Sequence, residues 1–506
     1  MDVWANLGYG FSVALQAHNL LFCFIGVVIG TLVGVLPGLG PSATIALLLP
    51  VTFKMSAVTG IIMLAGIYYG AMYGGSTTSI LVNIPGEAAS IVTCLDGHQM
   101  ARHGRAGPAL GIAAFGSFIA GTLALIGVMI FAPILGQAAL SFGPPEFFGI
   151  TFLGLTLVIY LSRGSAVKAM MMAVFGLLVG SIGTDPRSGA SRFTYGIFAL
   201  MDGVGIVPVA MGLFGIAEVL DSIDIGLASR GEVYKQKVKG LLPNLQDWKD
   251  SFWPIMRGSV IGFFVGILPG PSGIIASFAS YAAEKKVSRH PDRFGTGTIE
   301  GVAGPESANN AASTSSFIPL LSLGIPGNVI MALIMGALMI HGIQPGPLFI
   351  NGHPELFWGV VASMYIGNIM LLVLNLPLIG LWVKVLKIPY AILFPLIFLF
   401  CLIGVYTLSN TVADIFIMLV FGIIGFLMRK TGFEGAPFLL ALILGPIMEN
   451  SFRQSLSISH GSLGIFFTRP ISALLVIVGL ASILSQLIPV LRKKKEGLIE
   501  EIGKGA

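Results

Sequence analysis

A thirteen-residue apolar pattern occurs twice in this chain, at residues 26–38 and again, 232 residues later, at 258–270. Nine of the thirteen positions are identical, and each copy has a glycine at every fourth position before a Pro-Gly step. Small residues at this spacing let membrane helices approach closely, and Pro-Gly interrupts the helix that carries them. Interrupted apolar helices at corresponding positions of two halves are typical of the binding sites of membrane carriers.

The composition indicates a membrane protein. It is 55% hydrophobic and 10% charged, whereas a soluble domain carries about 25% charged residues. A membrane-spanning helix needs roughly 20 predominantly apolar residues. The sequence therefore predicts an all-α polytopic membrane protein with about ten to twelve transmembrane spans. The longest apolar runs are 19–36, 57–73, 107–135, 147–161, 356–385, 388–406, 411–428 and 471–490.

Further motifs recur in the same order in both copies, which indicates an internal duplication. We predict a first half at 1–228, a polar cytoplasmic linker at 229–251, a second half at 252–470, and a last helix with a basic tail at 471–506. The recurring pairs are Pro-Ser at 41–42 and 271–272, hydroxyl clusters at 76–79 and 313–316, and Ile-Pro-Gly at 84–86 and 325–327.

Flanking charge predicts how the two halves are oriented. The interrupted segment 258–283 has basic residues on both sides, whereas its counterpart in the first half has almost none, and the first 50 residues contain no lysine or arginine. Basic loops favour the cytoplasm. These charges predict re-entrant hairpins entering from opposite faces, and hence inverted repeats. The basic run at 492–495 predicts a cytoplasmic C-terminus.

The helix interruptions are the first candidate functional site. Each Pro-Gly step leaves carbonyl and N–H groups without helical partners. Carbonyl oxygens suit a hard cation such as sodium, and N–H groups at a helix N-terminus attract anions. An intramembrane carboxylate is a functional candidate in its own right. The predicted helix-break and cation residues are Pro37, Gly38, Gly40, Pro85, Gly86, Glu87, Pro269, Gly270, Glu306, Pro326 and Gly327.

The hydroxyl and amide clusters are the second candidate site. They lie among small residues and can hydrogen-bond a carboxylated ligand without carrying charge themselves. Polar contacts between helices are the alternative explanation for the same residues. The predicted substrate-binding residues are Ser42, Thr44, Ser76, Thr77, Thr78, Ser79, Asn83, Ser272, Asn309, Asn310, Ser313, Thr314 and Ser315.

Other classes of protein fit the sequence less well. The sequence has no HExxH, GxSxG or P-loop motif, and its three cysteines predict neither a disulfide framework nor a cysteine-type zinc site. Residues 38–43 fit a dinucleotide motif loosely, but no acidic residue follows about 20 residues later. Most cations lie between apolar runs, so no nucleic-acid partner is expected. We expect no enzyme and no cofactor other than a coupling cation.

Two alternatives from other functional classes stay open. One is an intramembrane enzyme acting on lipid phosphates, for which Asp96 and the two arginines and two histidines within residues 98–105 are the nearest candidate cluster. The other is a passive anion channel. A secondary carrier accounts for the paired interruptions better than either alternative does.

Four stretches carry a specific resemblance: residues 34–42, 69–79, 83–87 and 301–310. With them the chain resembles the large membrane subunit of bacterial tripartite tricarboxylate transporters (TctA type) over nearly its whole length. The resemblance implies a periplasmic solute-binding protein that delivers the substrate, and a small membrane subunit of about four spans. It also implies uptake of citrate or another carboxylate across the bacterial inner membrane, driven by sodium ions or protons.

Overall fold

The computed structural model describes residues 3–36, 40–162, 165–225, 240–385 and 390–487. Within these ranges the chain is almost entirely helical, and one antiparallel strand pair joins Gly183–Thr184 to Ser191–Arg192. The fold class predicted from composition is therefore confirmed as an all-α polytopic membrane fold. Pro37 and Gly38 of the predicted site lie outside the described residues, as do residues 229–239 of the predicted linker.

Helices α1 to α10 form what we call the first half. Three short helical segments accompany them: 3₁₀ turns at Ala88–Ser90 and Phe198–Leu200, and a π-helical segment at Met211–Ile216 between α9 and α10. The helices are α1 Val3–Ala14, α2 Ala17–Val35, α3 Pro41–Thr52, α4 Ala57–Val82, α5 Ile91–Arg102, α6 Ala106–Ala139, α7 Pro144–Leu161, α8 Ala166–Gly180, α9 Ile206–Ala210 and α10 Ala217–Ile225.

Helices α11 to α22 form the second half, and α23 follows them. Asn244 caps α11 by accepting from the backbone N–H of Asp247, so this helix already begins within the segment predicted as linker. The helices are α11 Leu245–Ile267, α12 Ser272–Val287, α13 Glu300–Ser315, α14 Phe317–Leu323, α15 Val329–Ile340, α16 Phe349–Gly352, α17 Pro354–Asn375, α18 Ile379–Val385, α19 Tyr390–Ser409, α20 Val412–Lys430, α21 Gly435–Ile458, α22 Ile465–Thr468 and α23 Pro470–Leu487, with a 3₁₀ turn at Pro291–Arg293.

Seven of the described helices are long and apolar enough to cross a membrane: α2, α4, α6, α7, α17, α20 and α21. Five shorter apolar helical segments accompany them, among them α3, α8 and α15. The total of about ten to twelve spans therefore stays a prediction, because it depends on how many of the short segments cross the bilayer.

The repeated glycines have the same packing role in both halves. The glycine face of α2 lies on α4, where a Cβ atom on Gly30 would overlap the backbone of Ile67. The glycine face of α11 lies on α13, where a Cβ atom on Gly262 would overlap the backbone of Ala308. Glycine allows these backbones to approach closely, and this close contact holds each pair together.

The two halves also exchange equivalent contacts. Helix α6 of the first half packs on α13, and α17 of the second half packs on α4. In the same way α5 packs on α12 and α13, while α15 packs on α3 and α4. Helices α4 and α13, which carry the two hydroxyl clusters, therefore each meet helices of both halves. The inverted orientation of the halves in the membrane stays a prediction.

Candidate functional site

Glu306 lies near the middle of α13 and is only 1% exposed. Its carboxylate accepts a hydrogen bond from the Ser76 hydroxyl of α4 at 2.5 Å and another from the Thr93 hydroxyl of α5. Both donors belong to the first half, so this carboxylate ties the two halves together.

Glu87 is the second buried carboxylate and follows the first Ile-Pro-Gly motif. Its Oε2 accepts from the backbone N–H of Ala89 at 2.6 Å and so caps the 3₁₀ turn. Its Oε1 accepts from Asn309 Nδ2 of α13 at 3.2 Å. This contact also crosses between the halves.

Neither carboxylate has a cationic partner. None of the ion pairs in the described part of the chain involves Glu87 or Glu306. A buried charge without a partner is costly, and hydrogen bonds from hydroxyl and amide groups offset only part of that cost. A cation or a proton is therefore the chemical complement of this site.

Several buried oxygen atoms of α12 and α13 make no hydrogen bond within the described protein: Ser272 Oγ and Ser280 Oγ on α12, and Ser307 Oγ and Asn309 Oδ1 on α13. A Cβ atom on Gly273 would lie 3.1 Å from Asn309 Oδ1, so that oxygen faces the first turn of α12. An unpartnered buried polar group costs about 1–3 kcal/mol. A ligand that hydrogen-bonds these atoms would remove that cost.

The second Pro-Gly interruption opens this turn. Gly270 has φ +139°, a conformation that side chains disfavour. Its N–H donates to the carbonyl of Gly327 at 2.7 Å, so the Ile-Pro-Gly motif, with Pro326 buried, supports the interruption of its own half. In the first half a Cβ atom on Gly86 would overlap the Gly34 carbonyl. The first motif therefore lies against the last turn of α2, and the second lies against the second interruption.

Some predicted residues bond elsewhere. The Thr78 hydroxyl donates to the Val35 carbonyl at 2.6 Å, Ser79 to Ser90 at 2.9 Å, and Asn310 Nδ2 to Ser117 at 2.7 Å. These contacts join helices, as the alternative explanation requires. The hydroxyls of Ser313 and Ser315 donate to carbonyls of their own helix. Thr77 and Thr314 are buried.

The remaining predicted residues have other surroundings. Asn83 is exposed and ends α4 in a left-handed conformation with φ +60°. Gly40 precedes α3 and accepts from the Thr44 hydroxyl at 3.3 Å. Ser42 and Pro85 are partly exposed, as is Pro269.

Thr44 lines a different space, an apolar cavity of about 740 Å³ between α2, α3, the π-helical segment and α19. The cavity separates the two arms of the first-half hairpin. In the second half, by contrast, α11 and α12 pack directly on each other.

Sequence reasoning missed Thr93 and Ser117. Each is a single hydroxyl in an otherwise ordinary helix, and nothing in the local sequence distinguishes it from a hydroxyl that bonds its own helix. Only the tertiary contacts with Glu306 and Asn310 identify these two residues.

The candidate enzyme cluster is dispersed. Asp96 is buried and accepts from the backbone N–H groups of Gly295, Gly297 and Thr298. Arg105 pairs with Asp247, whereas His98 contacts a backbone carbonyl. Within the described ranges no group of histidine, cysteine, aspartate or glutamate side chains could hold a metal ion.

A family model for the tripartite tricarboxylate transporter TctA family matches residues 20–440. The chain belongs to this family. As a TctA family member it is similar to an uncharacterized 52.8 kDa protein in the TAR-I ttuC′ 3′ region of Agrobacterium vitis, with 52% identity over 501 residues and 99% of both chains covered. An uncharacterized protein in the TAR-II ttuC′ 3′ region of that organism is 51% identical over 240 residues, which cover 47% of this chain and 99% of that protein. No solved structure matches the chain.

Membership of the TctA family makes the chain a membrane component of a tricarboxylate transporter. The prediction of a membrane component of a tricarboxylate transporter is therefore confirmed. Because such a transporter is tripartite, two further components are implied. The family does not itself identify the substrate, the coupling ion or the residues that bind them.

Proposed function

We propose that the chain is the permease subunit of a secondary transporter that imports a tricarboxylate or a related carboxylate together with Na⁺ or H⁺. A periplasmic solute-binding protein delivers the substrate, and a small four-helix membrane subunit completes the complex in the bacterial inner membrane. The observation that carries this proposal is the buried Glu306 carboxylate, which has no cationic partner and is held by hydroxyls of the opposite half.

The substrate carboxylate binds at the first turn of α12. N–H groups at a helix N-terminus favour an anion, and the buried Ser272 hydroxyl has no partner among the described residues, so it is free to donate. Asn309 Oδ1 faces the same turn and can accept from a substrate hydroxyl or protonated carboxyl group.

The coupling cation or proton binds at Glu306 and Glu87. Each carboxylate is held by side chains of the other half, so neutralising its charge changes the hydrogen bonds between the halves. Occupation of the cation site is thereby linked to the relative position of the halves, which alternating access requires.

Charge movement sets a minimum coupling ratio. Moving one charge across 100 mV is worth about 2.3 kcal/mol, so importing a divalent anion into a negative cell costs about 4.6 kcal/mol, and two cations only cancel this cost. We expect three or more cations per divalent carboxylate if the membrane potential is to drive uptake. Electroneutral uptake with a rate that does not depend on the membrane potential would contradict this expectation.

The test is labelled citrate uptake in cells that lack their own citrate carriers. They express this chain with its small subunit, with or without the solute-binding protein, in sodium or choline buffer at two pH values. We expect saturable uptake that needs the binding protein and a cation gradient, and none with Glu306→Gln. A panel of other carboxylates follows if citrate is not taken up.

Two outcomes would favour the alternatives. Flux that neither saturates nor responds to a cation gradient would indicate a passive channel. Release of phosphate from a lipid phosphate by the purified protein, lost on changing Asp96 to Asn, would indicate an enzyme. Either result would refute the proposed transport mechanism.

A further inference from the structure

Residues 181–205 connect α8 to α9 and are clamped onto the end of α21. Asp185 pairs with Arg192 at 2.5 Å and with Arg453 of α21 at 3.0 Å, and Arg192 also pairs with Glu449 at 2.9 Å. The hydrogen bond from Arg192, aided by the Arg187 backbone N–H and by Arg453, holds the pKa of Asp185 well below its usual range. This connection is therefore a braced structure.

The outer edge of this connection is strongly apolar and exposed. Tyr195 is 86% exposed and Phe198 is 84% exposed, and Phe193 and Ile197 are also exposed. Phe193 and Tyr195 have φ of +52° and +50°, a left-handed conformation that bulky residues rarely adopt unless the surrounding structure imposes it. The bracing thus holds large side chains outward. We call these four residues the aromatic ridge.

Arg187 belongs to the same connection as the ridge. It forms no ion pair among the described residues, and its guanidinium donates only to the amide oxygen of Asn450 at 3.3 Å. The cluster of Asp185, Glu449 and three arginines therefore keeps one uncompensated positive charge at the surface.

The directions of α8 and α21 indicate that the ridge lies on the membrane face opposite to the basic loops. The start of α8 lies beside the end of α20, since Lys168 donates to the Thr431 carbonyl next to Arg429 and Lys430. Basic helix ends favour the cytoplasm. Helices α8 and α21 both run away from that end, and the braced connection joins their far ends. On this reasoning the ridge faces the periplasm.

We propose that the aromatic ridge and Arg187 form the surface on which the substrate-carrying soluble protein docks, an inference that rests on the proposed function. Tyrosine, other aromatic residues and arginine supply most binding energy at protein interfaces. Aromatic side chains lose little conformational entropy on binding. Arg187 offers its charge to an acidic group of the partner. Docking here places the partner on the connection that leads directly into α9 and the π-helical segment.

Direct binding tests this proposal separately from transport. The chain and its small subunit are placed in nanodiscs, and the purified solute-binding protein encoded with them is titrated by interferometry. We expect Tyr195→Ala and Phe198→Ala each to weaken binding at least tenfold. Arg187→Glu is expected to weaken binding most at low salt, because exposed charges are screened as salt rises.

A matched control removes an exposed aromatic side chain elsewhere. Phe416 on α20 is 65% exposed, and Phe416→Ala is expected to bind the partner as wild type does. Wild-type affinity in both ridge variants, or no binding by the wild-type nanodisc, would overturn the docking proposal. A wild-type complex that binds the partner but shows no cation-coupled uptake would refute only the proposed function.

A second measurement separates a protein partner from the bilayer. Aromatic residues are also enriched at membrane interfaces, so the ridge could contact lipid instead of a protein. To distinguish these cases, Tyr195→Trp is prepared in nanodiscs that contain brominated lipid, which quenches tryptophan in contact with it. The wild-type complex, in which this chain already has five tryptophans, is measured in parallel, and lipid quenching of the additional fluorescence of the variant would overturn the proposal. Fluorescence that is insensitive to the lipid but shifts when the solute-binding protein is added would support it.

Discussion

Helix α4 of the first half and helix α13 of the second half occupy equivalent places, each packed on the glycine face of its preceding partner. The contacts of the two glycine faces align Ala65 and Tyr69 of α4 with Glu306 and Asn310 of α13. Alanine has no charge and a phenol stays neutral at physiological pH, whereas a carboxylate can bind a cation or a proton. The duplicated frame therefore has similar packing in both halves but carries an intramembrane charge on only one of the two helices.

The hairpin of α2 and α3 also differs in charge from the hairpin of α11 and α12. In the second half Arg257 of α11 forms two hydrogen bonds with the buried Glu284 of α12, at 2.8 and 2.5 Å. The repeat places Ile25 and Lys54 at those positions in the first half, where α2 and α3 enclose a cavity instead of packing together. An ion pair therefore joins the arms of the hairpin that packs closely, and the equivalent positions of the other hairpin are Ile25 and Lys54, which cannot form one.

The largest expected effect comes from the asymmetry between α13, which carries Glu306, and α4, which carries Tyr69 but no charge. Glu306→Gln keeps one of the two oxygen acceptors, places an NH2 donor at the other position and removes the charge, so we expect cation-coupled uptake to fall at least about 100-fold with normal expression. Tyr69→Phe removes one phenol and is expected to change uptake less than about threefold. Uptake rates at saturating substrate measure both variants. Equal losses would show that the two helices contribute equally.

The equivalence of the glycine faces is tested next. Gly262→Ala and Gly30→Ala each force a Cβ atom into a neighbouring backbone, so each should destabilise the protein by about 1–3 kcal/mol. Gly8→Ala is the control, because its Cβ atom meets nothing within 4 Å. Thermal unfolding in detergent measures all three. A large loss in only one half would show that the packing is not equivalent.

A smaller effect distinguishes the two hairpin tips. Ser272→Ala removes a buried hydroxyl proposed to contact the substrate, so we expect the substrate KM to rise about tenfold, the loss of one hydrogen bond to a charged group. Ser42→Ala, at the equivalent position of the first half, is expected to change KM less than about threefold. The dependence of the uptake rate on substrate concentration gives the KM of both variants. A greater effect of Ser42→Ala would move the substrate site to the other hairpin.

The smallest expected effect concerns pH. The pKa of Asp185 is lowered in the folded protein, so the stabilisation by its ion pairs is fully present above the ordinary aspartate pKa of about 4 and is lost as the pH falls below that value. The hydrogen-exchange protection factors of residues 181–205, which compare each rate with that of the unfolded chain at the same pH, should be unchanged from about pH 7 to 5 and smaller below about 4. Asp185→Asn should already exchange faster at neutral pH. A wild-type transition above pH 5 would contradict this assignment.

Much of the fold was predictable because its signals are local or repeated. Apolar runs of spanning length predicted a polytopic helical membrane protein, and the glycine spacing before each Pro-Gly step predicted close helix pairs with interruptions. Glu87 and Glu306 were identifiable because carboxylates are rare among apolar residues. The Ile-Pro-Gly motifs were identified as a pair, although their contacts with α2 and with the second interruption were not foreseen.

The partners of these carboxylates depended on tertiary structure. Ser76 and Thr93 reach Glu306 across 230 and 213 residues of chain, and a hydroxyl in a helix can equally bond its own backbone. The same ambiguity explains why Ser272 stands unpartnered while Ser313 bonds its own helix. The sequence by itself determined a helical polytopic membrane protein, because hydrophobic length acts locally, and its residue spacing predicted a duplication with two interruptions. The choice of contacts between the halves came only from folding, because it depends on which helix faces meet.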